Sequence, residues 1–455
     1  MTSMSGSALT RYAEATPSSR ALFERAARVL PAGVSYAIRD VSPHPFYVDR
    51  AAGARLTDVD GNVYTDYWSG HGALLLGHAP ACVVEAVRRQ VERGAHYGFS
   101  HPLEIELAEL VTAMMPAAEL VRYTNSGTEA NMYAVGLART YTGRTKIGKM
   151  EGGWHGGYDA LRKAVHEPFD QLEAGLDRAA LESTVVLPFN DLKSAARAIV
   201  RGDLACVVVE PMLGAAGFIP AEPGYLDGLK RLCQEHGTLL IFDEVITGFR
   251  LGPGGAQELY NVTPDITVVG KILGGGFPIG ALCGRREIFD RLDHRHFPCA
   301  RERAFQGGTF AANPISMAAG IATLRALEDG RVYRHLERLG EQARTGLARI
   351  FASAGIDAAI TGLTSTFSIH FRRGTPRNAR EASETDASLA RRYYEVVLAR
   401  KIAYLTPAVP HMFLNSAHTE QDVAELLTAT EAFAREVQGA ACSGRLASQT
   451  SRVGR

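Results

Sequence analysis

Residues 238–250 read TLLIFDEVITGFR, and residues 264–280 read PDITVVGKILGGGFPIG. Each carries a short apolar run without polar alternation, the pattern of a strand buried on both faces of a parallel sheet. ACVVVE at 205–210 is a third such run. Between it and the first lies PGYLDGLKRLCQEHG (223–237), in which Leu226, Leu229, Leu232 and Cys233 line one helical face and Gly237 stands where a helix C-cap belongs. Strand, helix, strand is a βαβ crossover of right-handed sense. The centre of the chain therefore reads as an α/β domain with a mostly parallel sheet flanked by helices.

Working outward, residues 1–20 are polar and predict a mobile N-terminal tail. Residues 21–79 predict a helix (ALFERAARVL, 21–30) ended by Pro31-Ala32-Gly33, then a hairpin around Asp60-Gly61, and they belong with a smaller domain. From about residue 80 to 325, helical stretches such as ACVVEAVRRQVERG and LEIELAELVTAMM alternate with short apolar runs, which marks the large α/β domain. Residues 326–437 alternate helix and short strand, a smaller α+β domain, and its last helix opens on a Thr419/Asp422 pair that resembles a capping box. The Ser/Arg-rich residues 438–455 predict a disordered tail.

The 49 basic residues balance 49 acidic ones, so charge gives no reason to expect nucleic acid or an anionic membrane as partner. No signal-peptide core or 20-residue apolar span is present, and the six cysteines are scattered without a C-x-x-C pair. A cytoplasmic protein with reduced thiols and no metal site is expected.

Two residues stand out. Lys271 ends one buried strand and precedes Gly274-Gly275-Gly276; Asp243 ends another. A desolvated amine beside a fixed carboxylate suits Schiff-base chemistry on pyridoxal phosphate, where the acid holds the pyridinium nitrogen. Taken singly, each has a plainer reading: Lys271 as a snorkelling strand-end lysine, Asp243 as a cap for the following turn. Asp265 and Asp293 read as caps or surface residues.

Ser126, Gly127 and Thr128 lie in a strand-to-helix turn, a site for a phosphate or a simple capping turn. Trp154 and His155, between glycines in EGGWHGG (151–157), offer rings to stack on a cofactor, or a packed core tryptophan. Glu210 ends the strand at 205–209, to face substrate, bond a polar neighbour or serve as a structural acid. Gly308 and Thr309 in QGGTF (306–310) are a further phosphate contact or an ordinary loop. Arg39 suits a substrate carboxylate and equally an exposed surface position.

In family order, DVDGNVYTDYWSGHGALLLGH (58–78), NSGTEAN, EGGWHGG, VVVEP, FDEVITGFR, GKILGGGFPIGA, GGTFAANP and SAHTEQD resemble the segments of fold-type I, class III aminotransferases over about residues 20–437. The subgroup most resembled contains glutamate-1-semialdehyde aminomutase and its transaminase relatives. That resemblance implies Lys271 as the Schiff-base lysine and Asp243 as the pyridinium partner. It implies Ser126, Gly127 and Thr128 as phosphate loop, Trp154 as stacking aromatic and Val245 against the opposite ring face. It implies Thr309 reaching the phosphate of a neighbouring subunit in a homodimer with shared active sites, and Arg39 binding substrate carboxylate.

Two positions depart from the aminomutase pattern. His71 stands where a tryptophan is expected, and Ala408-Val409-Pro410-His411-Met412-Phe413 lacks an acidic residue. The segments at 69–74 and 100–104 resemble those of D-phenylglycine and β-amino-acid transaminases. The expected activity is an aminotransferase passing an amino group from an aromatic or β-amino, carboxylate-bearing donor to a keto acid. The alternatives are a 2,1-aminomutase or an amino-acid racemase.

Overall fold

The structure, a computed structural model, describes residues 5–450 except 406, 407 and 409. Its centre is a seven-stranded sheet. In chain order the strands are β1 (Leu120–Thr124), β2 (Lys146–Met150), β3 (Thr184–Leu187), β4 (Leu204–Val209), β5 (Leu239–Asp243), β6 (Ile266–Gly270) and β7 (Gly280–Gly284). In space they run β1-β7-β6-β5-β4-β2-β3. Only β7 is antiparallel to its neighbours. The predicted unit is present: the helix Tyr225–Glu235 connects β4 to β5, and these strands pair in parallel with Phe242 opposite Val209. Every residue of β4, β5 and β6 is buried, which explains why their sequences carry no polar alternation.

Register decides where the chemistry falls. Asp243 is the last residue of β5 and pairs with Val268 two positions before β6 ends. Glu210 follows β4 and Lys271 follows β6. Parallel neighbours thus bring all three side chains to the carboxyl edge of the sheet, the usual ligand edge of an open α/β sheet.

Three smaller sheets complete the fold. Strands Arg55–Asp58 and Val63–Asp66 form the predicted hairpin around Asp60-Gly61, flanked by Val48–Ala52 on one side and Ile402–Ala403 on the other. Ala359–Thr361, Thr366–His370 and His411–Phe413 form the second, and Met212–Leu213 with Ile219–Pro220 the third. One apolar core unites Tyr64 and Tyr67 of the hairpin, Leu107 and Ile272 of the central region, and Tyr393 and Phe433 of the C-terminal region. The Thr419/Asp422 pair bonds reciprocally at the start of the last helix: the Thr419 amide and hydroxyl donate to Asp422 Oδ2 (2.7 and 2.8 Å), and the Asp422 amide donates to Thr419 Oγ1 (3.3 Å).

The expected N-terminal tail takes a different form. Ser5–Ala15 and Pro17–Ala26 are helices, and Tyr12, Thr16 and Ser19 are buried. A few tethers hold this polar stretch: Tyr12 Oη donates to the His44 carbonyl (2.9 Å), and Asp60 accepts from the amides of Ser18 (2.7 Å) and Ser19 (2.9 Å). At the other end the helix Glu420–Thr450 runs through residues 438–450 of the expected disordered tail, and residues 451–455 lie outside the described residues. Asp265, expected as a cap or surface residue, is buried and bonds Lys230, Arg285 and the Leu240 amide.

Burial alone would raise the Asp60 carboxyl, but bonds from Ser19 and from the Ser18 and Ser19 amides hold it below its ordinary value. A depressed acid contributes stability above its unfolded pKa and loses it as pH falls through the folded value. Asp60→Ala should therefore cost about 1 kcal/mol locally, as loss of a helix N-terminal acceptor does. Protection against hydrogen exchange across residues 17–26, relative to the intrinsic rate at each pH, should fall in the variant and should fall likewise in wild type at acid pH; equal protection in variant and wild type at neutral pH would refute the tether.

Candidate active site

At the carboxyl edge of the central sheet lies a cavity of about 410 Å³. Asp243, Glu210, Lys271, Ser126, Gly127, Thr128, Trp154, His155 and Val245 all line it. Sequence candidates from separate segments are thus brought to one place.

Asp243 is the most heavily bonded acid of the site. Its Oδ2 accepts from Asn131 Nδ2 (2.8 Å) and from His155 Nδ1 (2.8 Å), and its Oδ1 accepts from the Val245 amide (3.1 Å). That last bond makes Asp243 a local cap as well, so both readings of this residue hold. Burial pulls the His155 imidazole below its ordinary value, with Asp243 opposing. A neutral ring that donates from Nδ1 leaves Nε2 as an acceptor, and this buried Nε2 has no partner among the described residues.

Lys271 leaves β6 with φ +47°, in the left-handed region that costs a non-glycine residue roughly 1–2 kcal/mol. Such an outlier at the end of a buried strand points to a functional demand on side-chain direction. Burial lowers the affinity of its amine for a proton, while Asp243 and Glu210 partly restore it. Glu210 is buried and its carboxyl is pushed up to about 8, first by burial and then by Asp243. It accepts from the Trp154 amide (2.9 Å) and the Gly214 amide (3.1 Å).

Ser126 caps the helix Gly127–Thr142, accepting from the Glu129 amide (3.2 Å). The first amides of that 16-residue helix open toward the cavity edge, where its dipole favours an anion. Space is tight: a Cβ on Gly127 would sit 2.8 Å from Val245, and one on Gly156 (φ +88°) would lie 2.1 Å from Thr128 Oγ1. Trp154 is 38% exposed and stacks on His166 (centroids 6.0 Å apart, 25° between planes), so it is no core tryptophan.

The remaining candidates lie outside this cavity. Gly308 borders Asn125, with a Cβ position 3.4 Å from its side-chain nitrogen, and Thr309 is exposed. Arg39 lines an adjoining cavity of about 450 Å³ with Trp68, Gly70, Tyr394 and Tyr404. His71 stacks on Tyr36 (5.8 Å, 22°) and meets Trp68 edge-on (4.9 Å). Its ring is lowered to about 4 by burial, then by Lys271 and Arg39, so it is neutral at ordinary pH. Of the stretch lacking an acid, residue 409 lies outside the described residues, while His411 is buried against Phe218 (4.9 Å).

Two residues of the site escaped the sequence reading. Asn131 lies four residues after Gly127, one helical turn into the element, a spacing that could have pointed it at the same place as the loop. Lys149, within KIGKM of β2, is buried close to the site, and no sequence pattern marks it.

A family model described as Aminotransferase class-III matches residues 36–388, and the chain belongs to that family. The glutamate-1-semialdehyde 2,1-aminomutase of Methanothermobacter thermautotrophicus is 43% identical over 91% of this chain and 98% of its own. Seven further curated relatives, 37–41% identical, carry the aminomutase name. Among solved structures, an omega-transaminase from Sphaerobacter thermophilus is 37% identical (TM-score 0.86; 92% of this chain, 97% of that one). A beta-phenylalanine aminotransferase from Variovorax paradoxus is 34% identical (0.84; 94% and 96%). A glutamate-1-semialdehyde-aminomutase variant from Pseudomonas aeruginosa in complex with PMP is 26% identical (0.86; 94% and 96%).

The fold is that of the fold-type I transferases, the protein is an enzyme of transaminase or closely related type, and its cofactor is pyridoxal phosphate. The cavity suits that cofactor: a carboxylate for the ring nitrogen, an amine for the aldehyde, and a helix N-terminus for the phosphate, between glycines that leave no room for side chains.

Asp243→Asn keeps the shape of the side chain and removes its charge. Loss of a charge-assisted bond of about 1.5–3 kcal/mol predicts roughly 10- to 100-fold slower turnover. Turnover equal to wild type, at equal cofactor occupancy, would contradict the placing of Asp243 against the ring nitrogen.

Proposed function

We propose that this enzyme moves an amino group on a carboxylate-bearing substrate and that its first outcome is intramolecular: a 2,1-aminomutase acting on a glutamate-1-semialdehyde type of amino aldehyde. The observation that carries this reading is the likeness, over about nine-tenths of the chain, to eight curated relatives that bear that name. It reverses the order expected from the sequence, in which an aminotransferase with an aromatic or β-amino donor came first. The cavity is compatible with it. Lys271 is the only lysine or arginine among the described residues that line it, and Arg39 supplies one guanidinium in the adjoining cavity.

Each residue has a proposed task. Bound pyridoxal phosphate supplies a ring that accepts the electron pair left on the substrate carbon. Asp243, anchored by Asn131 and His155, keeps a proton on the ring nitrogen. The Lys271 amine, made less basic by burial, takes a proton from a substrate carbon and returns one to a neighbouring atom. Ser126, Gly127 and Thr128 hold the phosphate, and Trp154 and Val245 flank the ring. Arg39 binds the substrate carboxylate, with neutral His71 beside it.

The enzyme works as a cytoplasmic homodimer in which Thr309 and Gly308 of one subunit serve the phosphate site of the other. The exposure of Thr309 beside Phe305 (83% exposed) and Phe310 (56%) supports this. Among the described residues no helix is long and apolar enough to cross a membrane.

A second reading keeps the aminotransferase, with a donor such as a β-amino acid and a keto acid as acceptor. His71 and the absence of an acid at 408–413 favour it. So does the greater identity to the two solved transaminases (37% and 34%) than to the solved aminomutase (26%).

The two outcomes separate in one assay. With glutamate-1-semialdehyde and no keto acid, the aminomutase reading predicts many turnovers per site, and Lys271→Ala should slow them on the order of 10³-fold. A reaction that stops after one equivalent and resumes only with a keto acid would overturn it in favour of the aminotransferase.

A further inference from the structure

Lys149 is wholly buried in the central sheet, opposite Val208 of β4 and Val186 of β3. Its ammonium donates to two backbone carbonyls, those of Gly153 (3.0 Å) and Lys163 (2.8 Å). The Gly153 carbonyl belongs to the same peptide unit as the Trp154 amide. That amide donates to Glu210 Oε1 at 2.9 Å. One peptide is therefore gripped at its oxygen by a buried amine and at its hydrogen by a buried carboxyl oxygen. Flipping this peptide would reverse both contacts at once.

The loop has reason to need such a grip. Gly152 (φ +77°) and Gly156 (φ +88°) flank the peptide, and Gly153 forms half of it, so little in the backbone itself fixes where the indole goes. A buried ion is a costly fastener, and an apolar side chain of similar length would pack there without desolvation. Burial lowers the lysine to about 7 against the pull of Glu210 and Glu151. Removing Lys149 or Glu210 leaves one end of the peptide without its buried partner.

We propose that Lys149 is a positioning residue for the cofactor: with Glu210 it clamps the Gly153–Trp154 peptide and thereby sets the indole of Trp154 and the carboxylate of Glu210 against the cavity. This rests on the reading that Trp154 and Glu210 face bound pyridoxal phosphate.

The chain has two tryptophans, Trp68 and Trp154, so a Trp68→Phe parent leaves Trp154 as the sole indole reporter. The cofactor-free parent is titrated with pyridoxal phosphate, and dissociation constant and quenching of emission are read together. In that parent, Lys149→Met should raise the dissociation constant about tenfold, the loss of one well-placed hydrogen bond. It should also cut the quenching at saturation by at least about half. Unchanged affinity and quenching would overturn the proposal, whatever happens to thermal stability, since a purely structural lysine would alter stability alone. Glu210→Gln should give the same pair of changes, and it decides the matter if Lys149→Met does not fold. The double variant should bind no more weakly than the weaker single one; additive losses would overturn the clamp. A parent that binds the cofactor without quenching would instead refute the placing of Trp154, leaving the two failures distinguishable.

Discussion

A carboxyl group at the end of a buried strand is an expensive object, and the geometry of this enzyme is organised around supporting one. Asp243 has its oxygens occupied by a side-chain amide, an imidazole and a backbone amide, contributed by three different segments. Those donors remove much of the desolvation cost and fix the direction of the remaining charge. Parallel pairing of β4, β5 and β6 then makes the placement of the other two titratable groups almost automatic. After β4 the next residue, Glu210, stands beside Asp243; Lys271 follows β6 three positions beyond Val268, the partner of Asp243, at the same edge of the sheet.

The same constraint separates the roles of the two acids. Asp243 is surrounded by donors, whereas Glu210 has only two backbone amides and feels the negative charge of Asp243. Burial and the neighbouring Asp243 push the Glu210 carboxyl up to about 8, near the point of gaining or losing a proton at neutral pH. Lys271 faces both, with a backbone conformation few lysines adopt. Two carboxylates and an amine packed around one cavity suit the movement of protons between neighbouring atoms of a substrate. That arrangement serves isomerisation and transamination equally, so the outcome is decided farther out, around His71, Arg39 and the residues near 408–413.

Much of this was legible in the sequence because its signals were local. Unalternated apolar runs announced strands buried on both faces, Asp60-Gly61 announced a hairpin, and a lysine before three glycines announced itself by its oddity. Asn131 was not legible, because a polar residue inside a helix looks like any solvent-facing position until the partner strand is known. Lys149 was hidden for the opposite reason: a strand with lysine at both 146 and 149 reads as an exposed edge, yet β2 lies between β4 and β3. The first N-terminal helix was missed, and the second, expected at 21–30, was placed too late, because their tethers, Tyr12 to His44 and Ser19 to Asp60, span 32 and 41 residues of sequence.

The central claim is that Lys271, and no other lysine, engages the cofactor opposite Asp243. Borohydride reduction of the purified holoenzyme, followed by proteolysis and peptide mass spectrometry, tests it directly, because reduction makes the cofactor–lysine linkage permanent. The pyridoxyl group should be found on the peptide that contains Lys271. Its recovery on Lys149 or on a surface lysine, or on no lysine of a protein that retains bound pyridoxal phosphate, would contradict the account.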